Sequence, residues 1–546
     1  MKQQIIKVHP QDNLIVALRD FAEGENIING AETISLLDPV PQKHKFNETD
    51  LQEGDPVYMY GVVVGKATCF IPKGSRITRE NVVHKANAYE IGDRYTAWAP
   101  PDTSRFVGKT FNGFHRSDGK VGTRNYWLVI PLVFCENRNV SLIKSLMLEE
   151  LGYRQKTAQT VSLKKLIRRY REGAAVEEIM ETDILEAETE SPEDRLFPNV
   201  DGIKFIQHDG GCGGIRQDSE TLCRLLAGYI THPNVAGATV LSLGCQNAQI
   251  PILEAAIRER DPQFVKPLFV LEQQKSLSER HFIAEAVKLT FKGLIEANTC
   301  VRRPAGLDKL TLGLECGGSD GFSGISANPV LGYASDLLVA LGGTAILSEF
   351  PELNGAEQEL INRCTSKEAA QKFVRLMETY ASRAVEAGSG FDMNPSPGNI
   401  KDGLITDAMK SAGAAKKGGT SPVTAVLDYT EPATEKGLNL LCTPGNDVES
   451  TTGLAGSWAN LIVFTTGLGT PTGNPVSPTV KVSSNTGLAT RMRDIIDFDA
   501  GTVISGEDTI ESRGEALLEL LIKAADGAYR THAELLHQDD FIPWKR

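Results

Sequence analysis

Seven residues able to bind a metal or move a proton fall just past apolar runs of β character: His208, Cys212, Cys245, Glu315, Cys316, Asp320 and Glu349. Imidazole, thiol and carboxylate groups form the ligand set of a transition metal, and the imidazole and carboxylates also serve as general acids or bases. Each alone is ordinarily structural, since a buried Cys packs as a small apolar residue. Their repeated placement at strand ends points to one shared site, although the spacings make no compact zinc signature. The densest stretch is Leu310 to Ala327, where LTLGLE breaks into Cys316-Gly317-Gly318-Ser319-Asp320-Gly321 before a helical pattern. Glycine lets the backbone approach a small substrate closely, and ligands of open α/β sheets bind beyond the carboxyl ends of strands. Arg124, just ahead of the run WLVIPLVFC, suits a carboxylate clamp because its planar fork binds carboxylates bidentately.

The elements that must position these groups repeat one device, strand then glycine loop then helix. Ile203 to Gln207 runs into His208-Asp209-Gly210-Gly211-Cys212, Ala238 to Leu243 into Gly244-Cys245, and Ala345 to Leu347 into Ser348-Glu349. LNLLCTPGN (438–446) and LIVFTTGLGTPTGNP (461–475) continue it. Such repetition predicts an α/β protein with two parallel-sheet, Rossmann-like domains, one over 113–280 and one over 281–546. Residues 1–97, with short β-rich runs cut by Gly, Pro and Asp, read as a small all-β domain, and the Pro-rich 98–112 as a linker. The charged stretch 145–198 reads as solvated helices or an insertion without chemistry.

A chain of 546 residues exceeds a single core. Its net charge of -13, with no basic tract, excludes a general nucleic-acid binder. No apolar run reaches membrane-spanning length and the N-terminus lacks a signal-peptide core, so no membrane partner is expected. Nine cysteines without paired spacing fit a reducing cytoplasm. Neither the dinucleotide glycine fingerprint nor a phosphate-binding P-loop is present in its proper context, so NAD and ATP are not invoked.

At these motifs the chain resembles the altronate/galactarate dehydratases, sugar-acid hydro-lyases related to sulfolactate sulfo-lyase. The resemblance rests on DGKVGTRNYWLV (118–129), the His208 to Gly213 loop, LGLECGGSDGFSGISANP (312–329), LSEFPELNGAE (347–357), NPSPGN (394–399) and the long stretch 442–486. VPQKHKF (40–46) and YGVVVGKAT (60–68) resemble the β-clip (SAF) domain of that family. The resemblance implies dehydration of a hexonate such as D-altronate to 2-dehydro-3-deoxy-D-gluconate in hexuronate catabolism, with galactarate as the alternative substrate. It also implies a divalent metal, Fe(II) or Mn(II). The competing cofactor is an iron–sulfur cluster on Cys212, Cys245 and Cys316, and the competing class is a non-enzymatic sugar-acid-binding or assembly protein. Under the resemblance, His44, His208, Glu315 and Glu349 are the acid/base candidates. Lys43, Lys45 and Arg124 grip the substrate carboxylate. Asn125, Ser319, Asn328, Asn446, Ser450, Thr451 and Thr452 read the rest of the substrate. His208, Cys212, Cys245, Cys316 and Asp320 are the metal-ligand candidates. A cytoplasmic homo-oligomer, a dimer, is expected. Three departures stand out: Thr78 and Glu80 where relatives carry His, Asp209 where a Thr after the His is commoner, and the length of 145–198.

Overall fold

The computed structural model describes residues 4–30, 32–86, 88–92, 97–153, 160–186 and 195–545. Its N-terminal part is strand-rich and antiparallel. Ile5–Ile6, Leu14–Ala17 and Lys45–Asn47 form one small sheet, Pro56–Met59, Val62–Ala67 and Val82–Val83 another, and Asn26–Asn29 pairs with Glu32–Ser35. These strands are short because Gly and Pro turns interrupt them; Ile15, Phe21, Ile27, Ile34 and Phe46 bury a small core of their own, and a second core is shared with the rest of the chain. Leu14, Val16, Val57 and Val64 share one buried cluster with Phe322, Ile325, Ile405 and Met409, far along the chain.

Four parallel strands follow, β1 (Tyr126–Pro131), β2 (Gly202–Phe205), β3 (Val235–Ser242) and β4 (Leu268–Glu272), in the order β2-β1-β3-β4. A larger sheet holds seven parallel strands: β5 (Thr311–Cys316), β6 (Thr344–Leu347), β7 (Val423–Leu427), β8 (Gly437–Leu441), β9 (Leu461–Thr466), β10 (Thr479–Ser483) and β11 (Phe498–Asp499). Its order is β7-β8-β6-β5-β9-β10-β11. β6, β8, β9 and β10 are buried along their whole length; β6 and β9 read as apolar or small-residue runs, whereas β8 and β10 bury Asn439 and Lys481.

The chain leaves β5 toward β6 on one side and later returns to β9 on the other. This reversal of winding opens a crevice at the carboxyl ends of β5, β6 and β9. The stretch expected to be a linker is tied down: Phe106 and Phe111 are buried in the large core, and Thr110–His115 pairs with Val121–Gly122 and Arg303–Gly306. Of the charged stretch, 154–159 and 187–194 lie outside the described residues. Among the described residues no helix is long and apolar enough to cross a membrane.

Candidate active site

At the carboxyl end of β5 the chain turns through Gly317 and Gly318, and the turn forms one wall of a cavity of about 300 Å³. Cys316 and Ser319 line it from β5, Glu352 from the turn after β6, and Gly445 and Asp447 from the turn after β8. Asn394, Ser396, Asn399 and Lys410 close it from the segment preceding β7. The glycine at 317 is required by this crowding, since a Cβ there would stand 2.2 Å from Asp447 Oδ2.

The polar groups in the cavity form a mixed-charge set. Lys410 Nζ donates to Glu352 Oε1 and to Asn394 Oδ1, each at 2.9 Å, and Asn394 Nδ2 donates to the same Glu352 oxygen at 2.9 Å. Burial pulls the Lys410 ammonium down, but the Glu352 carboxylate outweighs it and holds it above the ordinary lysine range. Glu352 Oε2 is buried and has no hydrogen-bond partner. The Asp447 carboxyl is pushed up to about 7, first by burial and then by the Glu349 and Glu352 carboxylates. That value places it where a carboxyl group can both accept and return a proton near neutrality.

Directly behind the cavity lies a second, fully buried polar layer. The Lys417 ammonium donates to Cys316 Sγ at 2.8 Å and pairs with the Glu349 carboxylate. Glu349 Oε2 also accepts from the Cys316 amide at 3.0 Å. Glu315 Oε2 accepts from Ser348 Oγ at 2.9 Å and from Ser450 Oγ at 2.6 Å, while its Oε1 has no partner. Burial and the neighbouring Glu349 raise the Glu315 carboxyl well above the usual range, and the same two causes raise the Cys316 thiol. Glu349 holds a left-handed backbone at φ 66°, which costs about 1–2 kcal/mol in a residue with a Cβ. Its amide donating to Thr443 Oγ1 and its bonds to Lys417 and Cys316 fix that conformation.

The expected candidates divide between this place and others. Cys316 and Ser319 line the cavity, and Glu315, Glu349 and Ser450 form the layer behind it. Asp320 faces the N-terminal domain: its carboxylate takes Lys43 Nζ at 2.9 Å, Ser484 Oγ at 2.8 Å and Asn485 Nδ2 at 3.2 Å. Lys43 also reaches Asp402 at 3.2 Å, Lys45 Nζ donates to the Gly403 carbonyl at 2.6 Å, and His44 Nε2 meets the Lys401 carbonyl at 3.0 Å. These three side chains latch the β-clip onto the loop at 399–403, and none of them lines the cavity. The contact is close enough that a Cβ on Gly321 would stand 2.5 Å from the Lys43 carbonyl.

Other candidates sit elsewhere with their polar atoms engaged. His208 accepts from the Gly210 amide at Nδ1 (3.2 Å), so its Nε2 donates to the Pro131 carbonyl at 2.8 Å, and burial lowers its imidazole. Both ring nitrogens are thereby occupied, because a neutral imidazole has one donor and one acceptor. Arg124 forks onto Glu534 at 2.7 and 2.9 Å and donates to the Thr123 and Ala524 carbonyls, a buried structural pair in place of an open clamp. Asn125 bonds the Asn199 and Ala297 carbonyls, and Asn328 bonds Gly413 and Thr465. Thr451 donates to Val448, Thr452 accepts from the Ile542 amide, and exposed Asn446 bonds Glu449. Cys212 and Cys245 belong to loops of the four-stranded sheet, whereas Cys316 ends a strand of the seven-stranded one. Among the described residues no three His, Cys, Asp or Glu side chains are grouped to hold a metal ion.

Comparison with known proteins bears directly on this arrangement. The Altronate/galactarate dehydratase SAF domain matches residues 3–85. The D-galactarate dehydratase/Altronate hydrolase second domain matches 113–298, and the D-galactarate/Altronate dehydratase C-terminal domain matches 307–546. The chain is 32% identical to altronate dehydratase of Escherichia coli (strain K12) over 529 residues, 96% of this chain and 95% of that one. It is 33% identical to altronate dehydratase of Bacillus subtilis (strain 168) over 532 residues, 97% and 96% of the two chains. The chain belongs to the altronate/galactarate dehydratase family. It is therefore a lyase. A galactarate dehydratase (L-threo-forming) of Escherichia coli (strain K12) is 30% identical over 538 residues, 97% and 94% of the two chains.

Within this dehydratase chain, sequence reasoning passed over Glu352, Asn394, Asn399, Lys410, Lys417 and Asp447. Four of them, Glu352, Asn394, Asn399 and Asp447, lie within the family-like stretches 347–357, 394–399 and 442–486 but received no role there. Lys410 and Lys417 lie in an Ala/Gly-rich helix and the turn after it, where a lysine gives no signal of burial.

Proposed function

We propose that the chain dehydrates a hexonate such as D-altronate at the cavity beyond β5, β6 and β8, giving 2-dehydro-3-deoxy-D-gluconate. The observation that carries this reading is the pairing in one cavity of a lysine ammonium, Lys410, with a carboxyl group, Asp447, held near 7.

The proton on carbon 2 of a sugar acid is weakly acidic, and its removal needs stabilisation of charge on the adjacent carboxylate. Lys410, fixed by Glu352 and Asn394, offers that positive charge from a part-buried position in the cavity. Asp447, when ionised, accepts the carbon-2 proton. Its protonated form returns a proton to the carbon-3 hydroxyl, which leaves as water with the carbon–oxygen bonding pair. The resulting enol tautomerises to the 2-keto-3-deoxy acid.

The residues present do not fit the Fe(II) or Mn(II) that the resemblance implies. Among the described residues no three His, Cys, Asp or Glu side chains are grouped to hold an ion. Glu352 Oε1 is taken by Lys410 and Asn394, and the Cys316 thiol is raised by burial while its sulfur accepts from Lys417.

The reading is tested by measuring 2-keto-3-deoxy acid formation from D-altronate, galactarate and a panel of other hexonates and hexarates. Turnover of altronate that disappears in Asp447→Asn and in Lys410→Met is expected. Wild-type turnover in both variants would overturn the site, and a preference for galactarate would replace the substrate.

A further inference from the structure

The cavity beyond β5 is bounded on one side by the turn Cys316 to Ser319 and on another by the segment holding Ser396, Gly398 and Asn399. Asn399 Nδ2 ties these walls by donating to the Ser319 carbonyl at 2.7 Å, and the Gly321 amide donates to the Asp402 carbonyl at 2.7 Å. The second wall rests on a helix of five residues, Pro397–Lys401, capped by Ser396 and ended by Asp402. A helix that short has too few internal bonds to hold its place in water, so contacts from outside fix it.

The tip of the β-clip supplies those contacts. Lys43 Nζ stands 2.9 Å from Asp320 Oδ2 and 3.2 Å from Asp402 Oδ1, so one ammonium spans from the residue after Ser319 to the residue that ends the helix. Asp320 is fully buried, and a charge-assisted contact there is stronger than one at a free surface. His44 Nε2 donates to the Lys401 carbonyl and Lys45 Nζ to the Gly403 carbonyl, taking up acceptors that a helix end leaves open. Lys43 itself holds a left-handed backbone at φ 74°, which a residue with a Cβ keeps only where its surroundings fix it. The same domain braces a third part of the cavity. Thr406, the N-cap of the helix Asp407–Ala415 that carries Lys410, donates to the Val64 carbonyl at 2.7 Å. Met409 and Ala412 of that helix pack into the cluster of Leu14 and Val57.

We infer that Lys43 is a positioning residue for the dehydration, bridging Asp320 and Asp402 so that the β-clip holds the Ser319 and Asn399 walls at the spacing the substrate needs. Lys43 does not line the cavity, so it acts through the two carboxylates and not on the substrate. This role rests on the cavity being the place of dehydration.

Steady-state kinetics of the full-length chain, with whichever sugar acid the substrate panel selects, test it. Lys43→Met and Asp402→Asn are each expected to lower kcat/KM by roughly ten- to a hundredfold, mostly through KM, since a small displacement of a positioning wall costs that much. The double variant is expected to be no worse than either single one, because both remove the same contact. Lys43→Arg, which keeps a cation on the bridge, is expected to recover most of the loss. A wild-type KM in Asp402→Asn beside an impaired Lys43→Met would overturn the bridge, as would losses that multiply in the double variant. Asp447→Asn in the same assay separates two kinds of failure. Its inactivity beside an unimpaired Lys43→Met rejects the positioning role alone, whereas wild-type turnover in Asp447→Asn rejects the catalytic cavity and the role with it.

Discussion

Lys417 donates to the Cys316 sulfur at 2.8 Å and simultaneously pairs with Glu349, although 101 residues separate the lysine from the cysteine. The ammonium sits among one thiol and two carboxyl groups, all withdrawn from solvent, in the layer behind the cavity that Asp447 and Lys410 line. Burial opposes its charge, and the Cys316, Glu349 and Glu315 groups restore it, keeping the ammonium above the ordinary lysine range. A charge so held is strongly dependent on its partners.

Lys417→Met is accordingly expected to destabilise the protein by about 3–5 kcal/mol, because it leaves a buried carboxylate without its counter-ion. Denaturant unfolding at neutral pH checks this. The Cys316 thiol, held up by burial and by Glu349, is expected to resist alkylation in the native protein while exposed Cys245 reacts, as read by peptide mass spectrometry.

The kcat/KM profile of the native protein is expected to rise with pH through about 7, as the Asp447 carboxyl ionises and becomes a base. The same residue makes a stability prediction of opposite sense. Its folded value is raised, so its contribution is full below the unfolded carboxyl range and is lost as pH rises through about 7. The Asp447→Asn variant should lose less stability than wild type between about pH 4 and 7, the window set by the unfolded and folded values.

Glu534→Gln is expected to cost about 3–5 kcal/mol by leaving the buried Arg124 guanidinium unpaired. The Glu534 carboxyl is lowered to about 2; burial raises it, but Arg124 outweighs that. Its stabilisation is therefore present above the unfolded carboxylate value and lost as pH falls through about 2. Urea midpoints at successively lower pH should fall more steeply for wild type than for the variant. KM for a sugar acid should be unchanged in folded Glu534→Gln, since Arg124 serves the scaffold.

Lys43→Met is expected to weaken docking of the N-terminal domain by about 2 kcal/mol through loss of a charge-assisted contact to buried Asp320. Limited proteolysis should then cut the 85–105 connection faster than in wild type, with KM moving more than kcat. For Lys45, burial lowers the ammonium to about 7. Its contribution is full at high pH and lost as pH falls through 7, so tighter docking on the alkaline side is expected and should vanish in Lys45→Met.

The rhythm of strand, glycine loop and helix was readable from residue order because apolar runs and turn glycines act locally. So was a strand end: Glu315-Cys316-Gly317-Gly318-Ser319 does close the middle strand of the large sheet, at the point where the winding reverses. Family motifs carried the class of reaction.

What residue order alone left undecided was which polar side chains face one another. His208 and Arg124 looked like chemistry because their types are reactive, and only packing revealed that a carbonyl, an amide and Glu534 already satisfy them. Lys410, Lys417 and Asp447 looked ordinary because burial and the charge of distant neighbours, which set a pKa, are properties of contacts between segments far apart in the chain. Local sequence determines where a strand ends; tertiary structure decides what the residues at that end are pointing at.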